Sequence, residues 1–450
     1  MSVIKNLDEL IRSKYHRVVV DLVETGLKAA DPKVAVTKNI TVKDGTLVIE
    51  GRTFNVKGNV YVVGFGKASV KMGKAIEDLL NDLITAGFII APKIPVDIRL
   101  RKLKVLRGDH PIPGENTLRS TEEILNLVRK ADSDDLVIVL ISGGGSALFE
   151  KPIPPISLDD LRELNRLLLK SGADIKEINT VRKHVSMVKG GRLAEIIYPA
   201  RIVALIISDV VGDPIEFIAS GPTAPDTTTF HDAVKILKYR GLWDIIPRSI
   251  RAVIERGVNG EIPETPKPRH KVFEKVRNSV IASNMISLKA MEIRARELGY
   301  NTLVLTSMME GEAREIGKFL AGIARHVATY GEPVEKPAVI LLGGETTVTV
   351  RGDGIGGRNQ ELALSFAIHA RELRNVVLAS VGTDGIDGVS SAAGAVVDGE
   401  TYSEAVREGI NLIDYLRRND SYTALSKLSR VIITGLTGTN VNDLVVVLVH

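Results

Sequence analysis

The sequence predicts an α/β fold in two domains, and three features predict it. Short runs of β-branched and Leu residues, such as LVIVLI at 136–141 and IVALII at 202–207, are too short for helices and suit strands buried on both faces. Stretches with apolar residues at helical spacing separate them, so strand and helix alternate through both halves, as in sheets covered by helices. The 450 residues exceed what one core usually serves. GVNGEIPETPKPRH at 257–270, rich in Pro and Gly and poor in apolar residues, reads as a linker, so the expected domains are 1–265 and 271–450.

Composition narrows the function. With 44% hydrophobic and 25% charged residues the chain is an ordinary globular one. Its apolar runs fall short of a membrane span, and the opening MSVIKNLDEL has no apolar signal region, so a cytoplasmic protein without a membrane partner is expected. Zero cysteines exclude disulfides, thiolate nucleophiles and cysteine metal sites. A net charge of +4 and 4% aromatic residues argue against a nucleic-acid partner and favour small anionic ligands.

In chain order, Asn6 to Ala30 has Leu7, Leu10, Ile11, Val18, Val19, Leu22 and Val23 at helical spacing and predicts one long packing helix. Leu47 to Ile49 and Phe54 to Val56 predict a hairpin turning at Gly51. Strand Val60 to Val63 then enters GFGKAS at 64–69 and a helix through Leu80. The hexapeptide fails as a Walker A loop, with Tyr61 where the first glycine belongs and Ala68 where Ser or Thr belongs. As G-x-G-x-x-G it has Ser69 in third place, and the next strand, Phe88 to Ala91, ends without a ribose-binding acid. What survives is Lys67 at a strand-to-helix turn, either solvated or placed to neutralise phosphate charge. GDHPIPG at 108–114 is a rigid loop entering a helix over Asn116 to Lys130. Its His110 reads as a general base or, set between Asp and Pro, as a structural histidine.

The strand at 136–141 runs directly into Ser142, Gly143, Gly144, Gly145 and Ser146. A turn needs one glycine; three, with two hydroxyls, suit main-chain N–H groups that approach an anion. Ser157 to Asp160 caps a further helix, and Asp174 to Val185 gives another. Around the end of that helix sit Arg182, Lys183, His184, Lys189, Gly190, Gly191 and Arg192, a solvated face or a ligand site that the two glycines open. Strand Arg201 to Ile207 ends in SDVVGDP, placing Asp209 just past its C-terminal end, where ligands collect in open α/β sheets.

Beyond 270 the alternation resumes with strands Ser279 to Ala282, Thr302 to Leu305 and Ala338 to Leu342. The last leads to Glu345, and Thr346 to Arg351 alternates as a further strand. GDGIGGRNQ at 352–360 is a second glycine loop, with Arg358 and Asn359 before a helix opening at Glu361. Strand Val376 to Ser380 enters GTDGIDG at 382–388, where Asp384 and Asp387 suit a hard cation or a solvent-facing turn. Glycine N–H groups, basic residues and carboxylates after buried strands point to phosphoryl transfer. No metal-spaced histidine pair, G-x-S-x-G elbow or protein-kinase catalytic loop is present.

GFGKAS, DHPIPGE, LISGGGSAL, INTVRKHVSMVKGGRLA, SDVVGDP with IASGPTAPD, GGETTVTVRG with GGRNQE, and GTDGIDG through GAVVDG follow one another through nearly all the chain. Together they resemble the glycerate 2-kinase family, whose C-terminal part is called MOFRL. The resemblance implies a Rossmann-like three-layer N-terminal domain, a smaller MOFRL-type α/β domain and an active site in the cleft between them. It also implies transfer of the γ-phosphoryl group of ATP, with Mg²⁺, to the C2 hydroxyl of D-glycerate, giving 2-phospho-D-glycerate and ADP. Lys67 and Arg358 match the two basic catalytic positions, and Ser142 to Ser146 the glycine loop. Lys189, Arg192, Glu345 and Asn359 are taken with the loop as substrate- or phosphate-binding residues, and Asp209, Asp384 and Asp387 as metal ligands. Ser390-Ser391 and Leu436 depart from the family pattern, so no ligand role is carried to Ser391. A hydroxypyruvate reductase, which needs the dinucleotide site that GFGKAS lacks, and a non-catalytic nucleotide sensor stay open as alternatives, as does a homodimer. With the first glycine loop before the linker and Arg358 after it, catalysis is expected to need closure of the two domains.

Overall fold

The computed structural model describes residues 2–43, 46–94 and 98–450. They form two compact units: one is Ala35–Ile281, and the other joins the chain up to Val34 with Ala282–His450. This division corrects the sequence-based one at both ends. The amphipathic helix Lys14–Ala29 buries Val19, Leu22 and Val23 against Leu288, Met291 and Leu444, residues of the C-terminal stretch. The Pro/Gly-rich segment at 257–270 is no free linker, because Thr265 donates to Asp226 (2.9 Å) and Glu264 accepts from the Phe230 N–H (2.9 Å). Polar anchoring of this kind leaves no apolar trace in the sequence.

The 35–281 unit is built on a six-stranded sheet. Its order is Leu103–Arg107, Ala86–Ala91, Val60–Phe65, Leu136–Ile141, Arg201–Ile207 and Val276–Ala282. The first five strands are parallel. One face packs on helices Glu115–Val128 and Arg192–Ile197. The other meets helix Ser69–Leu80, where Gly73 admits the Ile89 side chain; a Cβ there would lie 2.1 Å from Ile89 Cδ1. Strand order reverses between Val60–Phe65 and Leu136–Ile141, so the loops after these two strands flank a topological switch point. Helices Leu158–Lys170, Ile175–His184, Phe230–Tyr239 and Arg248–Val258 form a separate apolar cluster. Strands Ile40–Lys43, Thr46–Ile49 and Arg52–Phe54 make a small antiparallel sheet; the hairpin turns at Gly51 as expected, but its second strand is Arg52–Phe54 and not Phe54 to Val56.

The second unit has a mixed sheet in the order Asn301–Met309, Ala338–Gly344, Asp443–Val449, Val376–Gly382, Gly394–Asp398 and Val431–Ile432. Only its first pair is parallel. Helices Ala313–Tyr330 and Arg358–His369 cover one face, and Lys14–Ala29 and Asn284–Glu297 the other, giving three layers.

Three local expectations change. The N-terminal helix is two, Leu7–Leu10 and Lys14–Ala29, because the Ser13 hydroxyl accepts from the N–H groups of Tyr15 and His16 and starts a new helix. Thr346 to Arg351 is not a strand; Thr347 makes one isolated bridge to Glu312, whose carboxylate takes the Thr349 N–H. The helix after the second glycine loop opens at Arg358, not Glu361. Among the described residues no helix is long and apolar enough to cross a membrane.

Candidate active site

At the switch point the two loops are stitched together by main chain. Lys67 N–H donates to Gly143 O (2.9 Å), Ser142 N–H to Phe65 O (3.2 Å) and Ala68 N–H to Ser142 Oγ (3.1 Å). Contact this close needs glycine at 66, whose φ is +125° and whose Cβ would fall 2.2 Å from Ser142 Oγ. The N–H groups of Gly143 and Gly144 meet no protein acceptor among the described residues, so they stay available to a ligand.

The same glycines gather side chains. A Cβ on Gly144 would stand 3.0 Å from Cδ2 and Nε2 of His110 and 3.5 Å from Lys67 Cε. On Gly143 it would stand 2.1 Å from Asp209 Oδ2. An ammonium, an imidazole and a carboxylate therefore converge on one backbone loop. Burial and the charge of Lys67 both hold His110 below its ordinary pKa, which keeps the ring neutral at pH 7. Beneath the loop, Ala219 (φ +50°) and Ser220 (φ +62°) adopt left-handed backbone rare for side-chain-bearing residues. The strain serves a contact: Ser220 Oγ lies 3.0 Å from Ser146 Oγ and donates to Asn179 Oδ1 (2.7 Å). A cavity of about 820 Å³ opens here, with His110, Gly144, Ser146, Arg182, Asp209 and Phe217 among its walls. Burial pulls the Arg182 guanidinium below its usual pKa, with Glu150 opposing.

Three expected ligand residues take structural places instead. Lys189 is 1% exposed; its ammonium pairs with Glu150 (3.1 Å) and donates to Ser146 O and Phe149 O, so it supports the loop from behind. Arg192 turns to Pro263 O (2.9 Å) and pins the 257–270 segment. The buried Asn359 amide donates to Asp443 (3.0 Å) and Asp387 (3.3 Å) and accepts from Ser380 (2.6 Å), leaving neither end for a ligand.

In the second unit Arg358 starts its helix and donates from Nε and Nη2 to the two oxygens of Asp443 (2.6 and 3.0 Å), and from Nη1 to the exposed Glu345 (2.7 Å). Burial works against the Arg358 charge, but Asp443 and Glu345 raise its pKa overall. Asp387 caps this helix, taking the N–H groups of Asn359 (3.0 Å) and Gln360 (2.8 Å), and is buried. That geometry does not suit a metal ligand. Asp384 stays half-buried; its Oδ1 accepts from Ile386 N–H and its Oδ2 has no protein donor among the described residues.

Sequence reasoning passed over Asp443, Asn179 and the particular place of Arg182. Asp443 had one available signal, an acid heading a wholly apolar strand. Asn179 had none, since its partner Ser220 is 41 residues away.

A parallel sheet with an open amide cradle at its switch point, in one chain with a mixed-sheet unit in which the half-buried Arg358 grips the buried Asp443, defines a two-domain α/β enzyme for anionic substrates. Residues 18–255 match the family described as Domain of unknown function (DUF4147), and residues 338–443 match the MOFRL family. A glycerate 2-kinase of Pyrococcus horikoshii is 46% identical, over 95% of this chain and 96% of that protein. The solved structure of a Thermotoga maritima glycerate kinase superposes with a TM-score of 0.86 at 39% identity, covering 96% of this chain and 99% of the other. An Agrobacterium vitis protein, 40% identical over 95% of this chain and 92% of its own, is named provisionally as a hydroxypyruvate reductase. The chain belongs to the glycerate 2-kinase family and is a kinase.

Proposed function

We propose that this kinase transfers the γ-phosphoryl group of ATP to the C2 hydroxyl of D-glycerate and requires Mg²⁺. The observation that supports this most is the approach of Lys67 and His110 to Gly144 beside two N–H groups without acceptors. Donors gathered at one loop suit a group that collects negative charge as it transfers. In this reading the N–H groups of Gly143 and Gly144 hold phosphoryl oxygens and Lys67 neutralises their charge. Neutral His110 accepts the hydroxyl proton at Nε2. Arg358, kept charged by Asp443, is the second basic residue proposed for catalysis.

The donor set fits a hard cation in part. Among the described residues no three His, Asp or Glu side chains cluster as a closed site, which accords with Mg²⁺ held by one or two carboxylates and phosphate oxygens. Asp209, against the cradle, would hold it with phosphate oxygens, and bound there it would offset phosphate charge; Asp384, half-buried in the second unit, is a separate candidate ligand. The reductase alternative is not favoured, because strand Ala86–Ala91 ends without an acid for a ribose. A coupled ADP assay over glycerate, glyceraldehyde and lactate, with the phosphorylated carbon assigned by NMR, tests the proposal. NADH oxidation with hydroxypyruvate, and no ADP from glycerate, would overturn it.

A further inference from the structure

Three arginines line the cavity of the 35–281 unit, and two of them hold a neighbouring carboxylate. Arg162 donates to Pro113 O (3.0 Å) and Asp159 (3.1 Å). Arg166 grips Glu163 through Nε and Nη2 (2.8 and 2.7 Å). Arg182 differs. Its Nε is fixed by Asn165 Oδ1 at 2.6 Å, while neither terminal nitrogen donates to an acceptor among the described residues.

The carboxylate whose charge acts on Arg182 is already occupied. Glu150 Oε1 accepts from Ser186 Oγ (2.5 Å) and Lys151 N–H (2.9 Å), and Oε2 pairs with Lys189 (3.1 Å). The two terminal nitrogens are thus left to the cavity, where a bound anion would supply the acceptors that the protein does not. A stem anchored at Nε with an open fork presents two donors in one plane, the geometry of a carboxylate. Arg182 also sits one helical turn after Asn179, which reaches the glycine loop through Ser220 and Ser146. The open fork and the open amides therefore belong to one wall.

We propose that the open fork of Arg182 binds the carboxylate of the acceptor acid, leaving the amides of Gly143 and Gly144 to the phosphoryl group. Arg182 is then the residue that makes this enzyme select hydroxy acids over neutral polyols and aldehydes. The inference rests on the proposed glycerate reaction.

The test compares the wild-type chain with Arg182→Gln, Arg182→Lys and Asn165→Ala, each checked for folding by circular dichroism. With D-glycerate, Arg182→Gln raises KM about 100-fold, the size expected for a lost charge-assisted pair. KM for ATP stays within about twofold, and turnover of D-glyceraldehyde, which lacks the carboxylate, is unchanged. Arg182→Lys recovers part of the loss, and Asn165→Ala, which keeps the charge but frees the stem, raises KM for glycerate several-fold. An unchanged KM for glycerate, or a rise in KM for ATP instead, overturns the inference. If the wild-type chain does not phosphorylate glycerate at all, the proposed function fails, and calorimetric titration of D-glycerate and glycerol still decides the role of Arg182. Binding of the acid alone, abolished in Arg182→Gln, supports it; equal heats in both proteins overturn it.

Discussion

Asp443 receives Nε and Nη2 of Arg358 on its two oxygens from the first position of a strand buried along its whole length. Burial pushes the Asp443 carboxyl up to about 6, against the pull of Arg358 and the Asn359 amide. The folded chain thus holds this proton more tightly than the unfolded chain. Stability contributed through Asp443 is greatest below the ordinary carboxylate value and declines as pH rises through about 6. In the proposed role of Arg358, activity should run the other way, since protonation of Asp443 below about 6 removes the charge that holds the guanidinium. A profile of kcat/KM between about pH 5 and pH 8 should show an acidic limb near that value. Asp443→Asn should flatten the limb and lower the plateau roughly tenfold, the scale of one misplaced charge contact. A limb that survives in Asp443→Asn assigns the titration to another group.

Lys67 projects from a loop held by main-chain bonds, so the fold does not depend on its ammonium. Lys67→Ala should lower kcat by about 10²–10³ while the melting temperature stays close to wild type. Near-normal turnover in the folded variant would remove Lys67 from the charge-neutralising role.

Lys189 should behave in the opposite way. Removing its ammonium leaves Glu150 buried and unpaired, so Lys189→Met should destabilise the fold by about 3–5 kcal/mol. Adding Glu150→Gln to it should recover much of that loss. Differential scanning calorimetry of the single and double variants measures both effects, and a rise in KM without loss of stability would restore a ligand role to Lys189.

The two aspartates of GTDGIDG separate by function. Asp387→Asn should cost stability, about 1 kcal/mol for a weakened cap, with the Mg²⁺ dependence of the rate unchanged. Asp384→Asn should leave the fold intact and raise the Mg²⁺ concentration needed for half-maximal rate. An unaltered Mg²⁺ titration for Asp384→Asn would exclude it as a metal ligand.

What could be read before folding was local chemistry. Strands Leu136–Ile141 and Arg201–Ile207 appear as uninterrupted apolar runs, and the glycines at 143–145 mark the place where backbone must come close to something. Lys67 and Arg358 stand at chain reversals where a cation has few structural reasons to be. The pairings were not legible, because Arg358 meets Asp443 across 85 residues and Ser220 meets Asn179 across 41. A basic run also reads alike whether its members are solvated or buried. Only packing shows that Lys189 is 1% exposed while Arg182, seven residues earlier, faces a cavity. The helix break at Ser13 was missed for a different reason: apolar spacing continues across it, and a single hydroxyl cap decides the matter.

The helix Lys14–Ala29 belongs to a unit whose remaining residues begin at Ala282. On the ribosome it emerges before the 35–281 unit and finishes its packing after it. At ~5–20 residues per second, synthesis of the strand it packs on, Asp443–Val449, follows roughly 20–80 s later. Until residues 282–450 follow, Val19, Leu22 and Val23 lack the partners they bury against there, with Leu288 and Met291 arriving before Leu444, while the whole 35–281 unit can complete itself. The order of folding is therefore the reverse of the order of emergence for these first helices. A fragment beginning after the Pro/Gly-rich segment would keep Asn284–Glu297 but lose the other helix of that layer, so it should aggregate unless the N-terminal peptide is supplied in trans.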